Sequence, residues 1–280
     1  MNRELLHSFS QKIEQEFLER LANMGLSFGN NISPVYLAGQ RRFLGLWHGP
    51  MIAEIAGITR QQLVVDLGIA SLFGRAYVIA QDQALDHGRS DLAAIVPRLL
   101  DEFLMRIRAL AGSKIEARIS EIIEGNTTAN EKDLVMRQSP CRASMKDLRN
   151  IGQKTSVALL PSLAAAMKAK LMATSGLYVD ITYRYLLAIQ IADDLADLAK
   201  DEAEGRFTLV GSLYRSNGLV DVAGYAISQF ETMLEHARLI NPFAEVAISY
   251  LEQVQENFIT ALSSGDLQAF DPETVQATDL

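Results

Sequence analysis

The stretch from Tyr183 to Lys200 constrains the fold more than any other part of the chain. It is largely apolar and contains neither proline nor glycine, which is typical of a helix. On a helix, residues four apart share one face, so Asp193, Asp197 and Asp201 form a column of carboxylates. Apolar residues on another side form a stripe suited to a core: Ala188, Ile191, Leu195 and Leu198.

The repulsion between the negative charges of this column must be offset by another interaction. Like charges at this spacing destabilise a bare helix by about 0.2–0.5 kcal/mol per pair. One interpretation is a solvated acidic face beside Lys200. The other is a Mg²⁺ site, because Mg²⁺ takes oxygen ligands, keeps several waters and is usually shared with substrate phosphates. Acids are rarely placed in apolar helices without a partner, which favours the metal.

Composition excludes several classes of protein. The chain has 280 residues, 49% of them hydrophobic, and a net charge of −8. It has no run rich in Lys and Arg, so we expect no nucleic-acid partner. The single cysteine, Cys141, excludes an internal disulfide and a cysteine-based zinc cluster. The four histidines are too far apart in sequence to match a zinc-site spacing.

The sequence also predicts a soluble, cytoplasmic protein without a stable membrane anchor. The first residues, Met1 to Glu4, do not open a signal peptide, because no apolar core follows the first charge. The longest apolar run, Val157 to Met167, is broken by Pro161 and is too short to span a bilayer.

Helical periodicity dominates the chain, and no segment alternates as a strand bounded by hairpin turns. We therefore predict one all-α domain over residues 1–265, a large bundle with long central helices, followed by a polar, flexible tail over 266–280. Breaks are expected at Gly49-Pro50 and at the loop 125–130. The predicted helices cover 2–24, a segment carrying Gln40, 61–86, 91–123, 131–137, 145–171, the acidic helix closed by Gly205, 208–215, 219–240 and 242–262.

A second acidic pair ends the helix predicted over 61–86. Asp82 and Asp86 are again four residues apart. Alone the pair is a weak signal, because an Asp near a helix end is common. Together with the first column, however, it could face a shared cavity and hold a diphosphate through metal ions.

With these two acidic motifs in place, the chain resembles the trans-isoprenyl diphosphate synthases and related class I terpene synthases over most of residues 35–265. The segment Gln190–Asp197, continued by Asp201, Gly205 and Arg206, is similar to the family's second aspartate-rich motif. The offsets of Asp193, Asp197 and Asp201 also match the metal-binding triad of terpene cyclases. The resemblance implies a class I terpenoid synthase bundle with a central cavity.

Three further segments carry the resemblance. Lys154-Thr155 resembles the family's Lys-Thr pair, whose lysine holds the allylic diphosphate. The segment from Ala76 to Asp86 resembles the first aspartate-rich motif. Gly39-Gln40-Arg41-Arg42 falls where the family has a Gly-Gly-Lys-Arg segment that binds the second diphosphate.

The sequence also departs from the family. The second place of the first motif is Gln83, whose amide binds a metal more weakly than a carboxylate. The lysine expected beside Gln40 is absent, and His87-Gly88-Arg89 replaces the usual paired arginines after the first motif. Arg75 stands where the family often has His or Gln. The allylic-diphosphate site therefore looks intact and the isopentenyl diphosphate site eroded.

The resemblance implies a role for each candidate residue. Mg²⁺ would be held by Asp82, Asp86, Asp193, Asp197 and Asp201. The diphosphate would be contacted by Lys154, Arg206, Arg41, Arg42 and Arg75. The hydrocarbon cavity would be lined by Phe73, Tyr77, Val78 and Gln190, although Phe73, Tyr77 and Val78 are equally compatible with an ordinary core.

Three functions remain open from the sequence. The first is a terpene cyclase acting on one prenyl diphosphate, for which the second basic site is dispensable. The second is a prenyltransferase, with an altered isopentenyl site or another acceptor. The third is a non-catalytic partner subunit of a prenyl synthase, which Gln83 would suit and the intact acidic column would not. A homodimer is implied by the resemblance.

Overall fold

The computed structural model describes residues 3–26, 44–86, 89–136, 143–171 and 173–270. In these ranges every regular element is a helix, which confirms the all-α prediction. The predicted helix carrying Gln40, and the tail from residue 271 onward, lie outside the described residues. Within the tail's described part, Phe270 is buried and its ring lies 5.2 Å from that of Phe258, so the chain packs on the bundle at least to this residue.

The helices are numbered in chain order. They are α1 Arg3–Asn23, α2 Leu44–Ile55, α3 Gln61–Asp86, α4 Ser90–Ala93, α5 Val96–Ala111, α6 Glu116–Met136, α7 Leu148–Ile151, α8 Leu159–Lys168, α9 Ser175–Ala196, α10 Leu198–Ala203, α11 Leu209–Asn217, α12 Leu219–Ile240 and α13 Glu245–Ser264. Short 3₁₀ segments lie at Ser113–Ile115, Met145–Asp147, Gly152–Ala158 and Leu267–Ala269.

Two long helices, α3 and α9, carry the predicted acidic motifs and form much of the core. Helix α3 packs against α1, α2 and α5, whereas α9 packs against α8 and α12. The segment Gln61–Leu85 of α3 is long and apolar enough to cross a membrane, but 72% of its most apolar window is buried within the bundle. Burial of that extent is what a central core helix shows.

The crossing of α2 and α3 is unusually close. A Cβ atom added at Gly49 would lie 2.3 Å from the backbone of Gly68, so only glycine fits there. The predicted break at Gly49-Pro50 is wrong, because α2 continues through both residues. Tertiary packing overrides the local signal, because every residue from His48 to Ala56 is buried in the bundle.

The helix–loop pattern predicted around residues 91–137 is also wrong. Helix α6 runs without interruption through the predicted loop 125–130, and two residues of that loop, Asn126 and Ala129, are buried. The predicted helix 91–123 is instead interrupted at Gly112, whose φ of 76° ends α5. Glycine adopts a positive φ without a steric penalty. The helix predicted over 91–123 is continuous through Gly112, so the prediction misses this helix end.

The predicted helix over 145–171 is divided into short segments. Its expected start is confirmed, since the backbone N–H of Ser144 donates to the Asp147 carboxylate at 2.8 Å, as in a capping box. A 3₁₀ segment, Gly152–Ala158, separates α7 from α8 and carries Lys154. This tighter winding positions Lys154 beside α6.

One buried histidine lies between α2 and α3. The His48 ring nitrogen Nδ1 lies 3.2 Å from the hydroxyl of Ser71, and burial lowers the pKa of His48 to about 4. The ring is therefore neutral at neutral pH, which suits a core position.

Candidate functional site

The carboxylate column spans the end of α9 and the start of α10. The helix that was predicted to be continuous is divided at Asp197, between Ala196 and Leu198. The backbone bonds nevertheless follow the column: Asp197 N–H donates to the Asp193 carbonyl, and Asp201 N–H to the Asp197 carbonyl, each at 2.9 Å. The four-residue spacing of the acids therefore survives the division.

Gly205 ends this acidic segment, as predicted. Its φ is 69°, and the N–H of Arg206 donates back to the Asp201 carbonyl at 2.8 Å. The guanidinium of Arg206 pairs with Glu204 at 3.0 Å, and both side chains are substantially exposed. Arg206 thus lies at the end of the carboxylate column with its charge shared with Glu204.

Asp193 lies at the centre of the site. Its side chain is accessible to solvent, yet the surrounding protein desolvates it and raises its pKa, as do the charges of Asp197 and Asp82. The charges of Arg75 and Lys154 oppose that shift. The charges that act on Asp193 come from α3, the 3₁₀ segment and the acidic helix, so these three segments approach one another near Asp193.

The structure describes the side chains of only part of the first acidic motif. Asp82 is exposed on the last turn of α3, close enough to Asp193 to raise its pKa. Gln83 beside it is half-buried. Asp86 belongs to the same turn, but its side chain lies outside the described residues. Arg41 and Arg42 also lie outside them.

Lys154 is held from two sides, by contacts that the sequence did not reveal. Its Nζ lies 2.8 Å from Oδ2 of Asp133 on α6, and each side chain is only 13% exposed. Asn126 is buried on α6, and its side-chain amide donates a hydrogen bond to the Lys154 carbonyl. Asp133 is 21 residues before Lys154, and no motif linked the two positions.

Two buried polar atoms next to Lys154 have no hydrogen-bond partner in the described part of the chain. They are Oδ1 of Asn126 and Oγ1 of Thr155. Buried polar atoms are normally paired, so each is suited to a water molecule or a bound ligand. Thr155 is the second residue of the Lys-Thr pair.

Asp194 was not among the predicted site residues, but the structure adds it to the site. Desolvation raises its pKa to about 7, with further contributions from the charges of Asp193 and Asp133. The charge of Lys154 opposes this shift, as does a hydrogen bond at 3.1 Å from the side-chain amide of Gln190. Gln190, predicted to line the cavity, thus contacts Asp194.

This raised pKa predicts the effect of Asp194→Asn on stability. The folded state holds the proton more tightly than the unfolded chain, so the contribution of Asp194 to the free energy of unfolding falls as pH rises from about 4 to about 7. Asn cannot ionise, so the free energy of unfolding of the variant is expected to exceed that of wild type by up to about 4 kcal/mol near pH 8, and by little near pH 4. Urea unfolding in EDTA measures this difference, with exposed Glu231→Gln as the control. Equal differences at both pH values would contradict the raised pKa.

The predicted lining residues of α3 differ in their surroundings. Phe73 is fully buried, and its ring lies 4.8 Å from that of Phe17 and 5.0 Å from the Arg106 guanidinium. It therefore packs toward α1 and α5. Tyr77 is buried, which raises its pKa, and Val78 is half-buried.

A cleft of about 640 Å³ opens beside Lys154 and Asp133. Its walls come from α6, from the segment leading into the 3₁₀ turn, and from Leu209 at the start of α11. Val135 on its rim is 67% exposed. The Lys154–Asp133 pair therefore lies between this cleft and the acidic centre.

Comparisons of the chain with models of protein families, with curated proteins and with solved structures found no match. The case for a function therefore depends on the residues and their geometry. The structure brings Arg75, Asp82, Lys154 and Asp197 close enough to Asp193 for their charges to act on its carboxylate.

Proposed function

We propose that this protein is a Mg²⁺-dependent class I terpenoid synthase that ionises an allylic prenyl diphosphate, with cyclisation as the favoured outcome. One observation carries the proposal: Asp193 interacts electrostatically with Asp82, Asp197, Arg75 and Lys154 at once. These residues come from three separate segments, and they include both acids for metal ions and cations for phosphate. The specific terpenoid synthase fold is part of the proposal.

The donor set suits Mg²⁺. In the part of the chain that the structure describes, no three Asp, Glu, His or Cys side chains converge as a metal-binding group. Mg²⁺ rarely uses such a protein cage; it takes one or two carboxylates together with substrate phosphates and waters. Asp193, Asp197 and Asp82 would hold it, and the charge repulsion that adds to desolvation in raising the pKa of Asp193 would be relieved. Mg²⁺ would supply charge neutralisation for the diphosphate.

Lys154 and Arg75 supply the other positive charges. In the reaction the allylic C–O bond breaks, and its electron pair leaves with the diphosphate, which gains negative charge. Cations fixed close to that group before the reaction stabilise the charge as it develops. Lys154 is largely buried, and its backbone is held by Asn126, so little reorganisation is required.

The prenyltransferase is the second candidate, and the position of Arg75 favours it. Arg75 interacts with Asp193, so it adds a cation to the diphosphate region beyond Lys154. It could partly replace the missing lysine of the second diphosphate site. The cyclase is preferred because that lysine and the paired arginines after the first motif are both absent.

Adding isopentenyl diphosphate to the protein and an allylic diphosphate is expected to give no useful chain elongation. A lost charge-assisted hydrogen bond weakens binding by about 1.5–3 kcal/mol, or roughly ten- to a hundredfold in affinity. The test is incubation with C10, C15 and C20 prenyl diphosphates, with and without isopentenyl diphosphate, followed by product analysis.

Each product identifies one alternative. A hydrocarbon or alcohol formed from the allylic substrate alone supports the cyclase. A linear diphosphate longer by one C5 unit would replace it with the chain-elongating prenyltransferase. The absence of Mg²⁺-dependent diphosphate release from every substrate would favour the non-catalytic subunit.

A further inference from the structure

The largely buried ion pair between Lys154 and Asp133 raises a question that the proposed function does not answer. A lysine that receives a diphosphate does not require a carboxylate at 2.8 Å. Both side chains are only 13% exposed, so water screens their attraction weakly. A diphosphate bound at Lys154 would therefore meet the negative charge of Asp133 at short range.

The surrounding groups show that Asp133 is not required to neutralise Lys154 on its own. The charge of Lys154 also acts on Asp193 and Asp194, both on the acidic helix. An ammonium has three donors, and Asp133 accepts one of them. The lysine backbone is fixed independently, by the amide of Asn126.

We propose that Asp133 is a positioning residue that acts as a competing counter-ion for Lys154. It holds the ammonium in place before the substrate arrives, and it weakens the attraction of Lys154 for the diphosphate group. It thereby favours release of the inorganic diphosphate product. This inference rests on the proposed function, because it assumes that Lys154 contacts the diphosphate.

The variant Asp133→Asn tests this role, because it removes the charge and keeps the size and one oxygen acceptor. Inorganic diphosphate in the presence of Mg²⁺ is expected to bind the variant about tenfold more tightly than wild type. A unit charge a few ångströms from a partly buried phosphate is worth at least that factor at an effective dielectric constant of about 20. A purely structural role predicts the opposite, because loss of a supporting contact weakens binding.

Isothermal titration calorimetry with inorganic diphosphate measures the affinities. The matched control is Glu131→Gln, which neutralises an exposed acid lining the same cleft two residues away and is expected to change the affinity less than about twofold. Asp133→Glu, which restores the charge, is expected to return the affinity toward wild type. Thermal melting checks that each variant is folded, and Asp133→Ser replaces Asp133→Asn if the latter does not fold.

Lys154→Met separates the failure of this inference from the failure of the proposed function. If Lys154→Met weakens diphosphate binding while Asp133→Asn weakens it or leaves it unchanged, the counter-ion role is overturned and the proposed function stands. If Asp133→Asn tightens binding equally in the Lys154→Met background, Asp133 does not act through Lys154, and the inference also fails. If wild type does not bind diphosphate, or Lys154→Met binds it as wild type does, the proposed function itself is wrong.

Discussion

Asp193→Asn is expected to lower Mg²⁺-dependent diphosphate release by about a hundred- to a thousandfold, the effect of removing one main electrostatic contact at a reacting group. The folded state should be unaffected or slightly more stable. Asp193 is desolvated and repelled by Asp197 and Asp82 in the metal-free protein, so an amide removes an unfavourable charge. The measurements are diphosphate release from the best prenyl substrate and the free energy of unfolding in EDTA.

Glu235→Gln is the matched control, because it neutralises an exposed acid on α12, outside the site. Its activity should equal that of wild type. The proposal would be contradicted if Asp193→Asn lowered stability strongly while EDTA left the wild-type activity intact, since these acids would then be structural.

Gly49→Ala is expected to destabilise the protein by about 3 kcal/mol or more, at or above the usual upper limit for an overpacked site. The added Cβ would lie 2.3 Å from the Cα and the N of Gly68, and backbone atoms cannot rotate away as a side chain can. Helices α2 and α3 would have to separate along their whole contact. Urea unfolding measures the loss.

Gly224→Ala provides the comparison within another helix. Gly224 lies inside α12, is exposed, and an added Cβ would meet no atom within 4 Å. This change should stabilise the protein by about 0.5–1 kcal/mol, as alanine does in a helix interior. If Gly49→Ala were as harmless as Gly224→Ala, the close crossing of α2 and α3 would be wrong.

Helix type and several helix ends were predictable from local signals. Helix α12 has the predicted bounds, Leu219–Ile240, because Gly218 and Asn241 flank a periodic apolar segment. Thr208 accepts a hydrogen bond from the N–H of Gly211 at 2.9 Å, a local cap at the predicted start of α11. Such signals depend on neighbouring residues alone, so one sequence contains them.

The errors arose where distant contacts decide the structure. Gly49-Pro50 and Gly125 have the composition of breaks, yet both lie inside helices, and Asn126 is fully buried where α6 meets the segment carrying Lys154. The predicted loop contained a residue whose partner is 28 positions away. Local propensity is a weak prior wherever such packing operates.

The candidate site shows the same division. The carboxylate column and Lys154 were identified from spacing and resemblance, and in the structure the charges of Asp197, Lys154, Asp82 and Arg75 act on Asp193. Asp133 and Asp194 were missed. Asp133 belongs to no motif, and the role of Asp194 depends on desolvation, which a sequence does not show.

The apolar character of α3 has a consequence for the way the chain is synthesised. Helix α3 leaves the ribosome before α5, one of the helices that cover it, has been made. During that interval a helix of 26 residues exposes an apolar surface that the finished protein hides. Segments that expose such a surface are prone to aggregate, and chaperones protect them until they are covered. Docking of α5 onto α3 therefore ends the interval in which this part of the apolar surface is exposed.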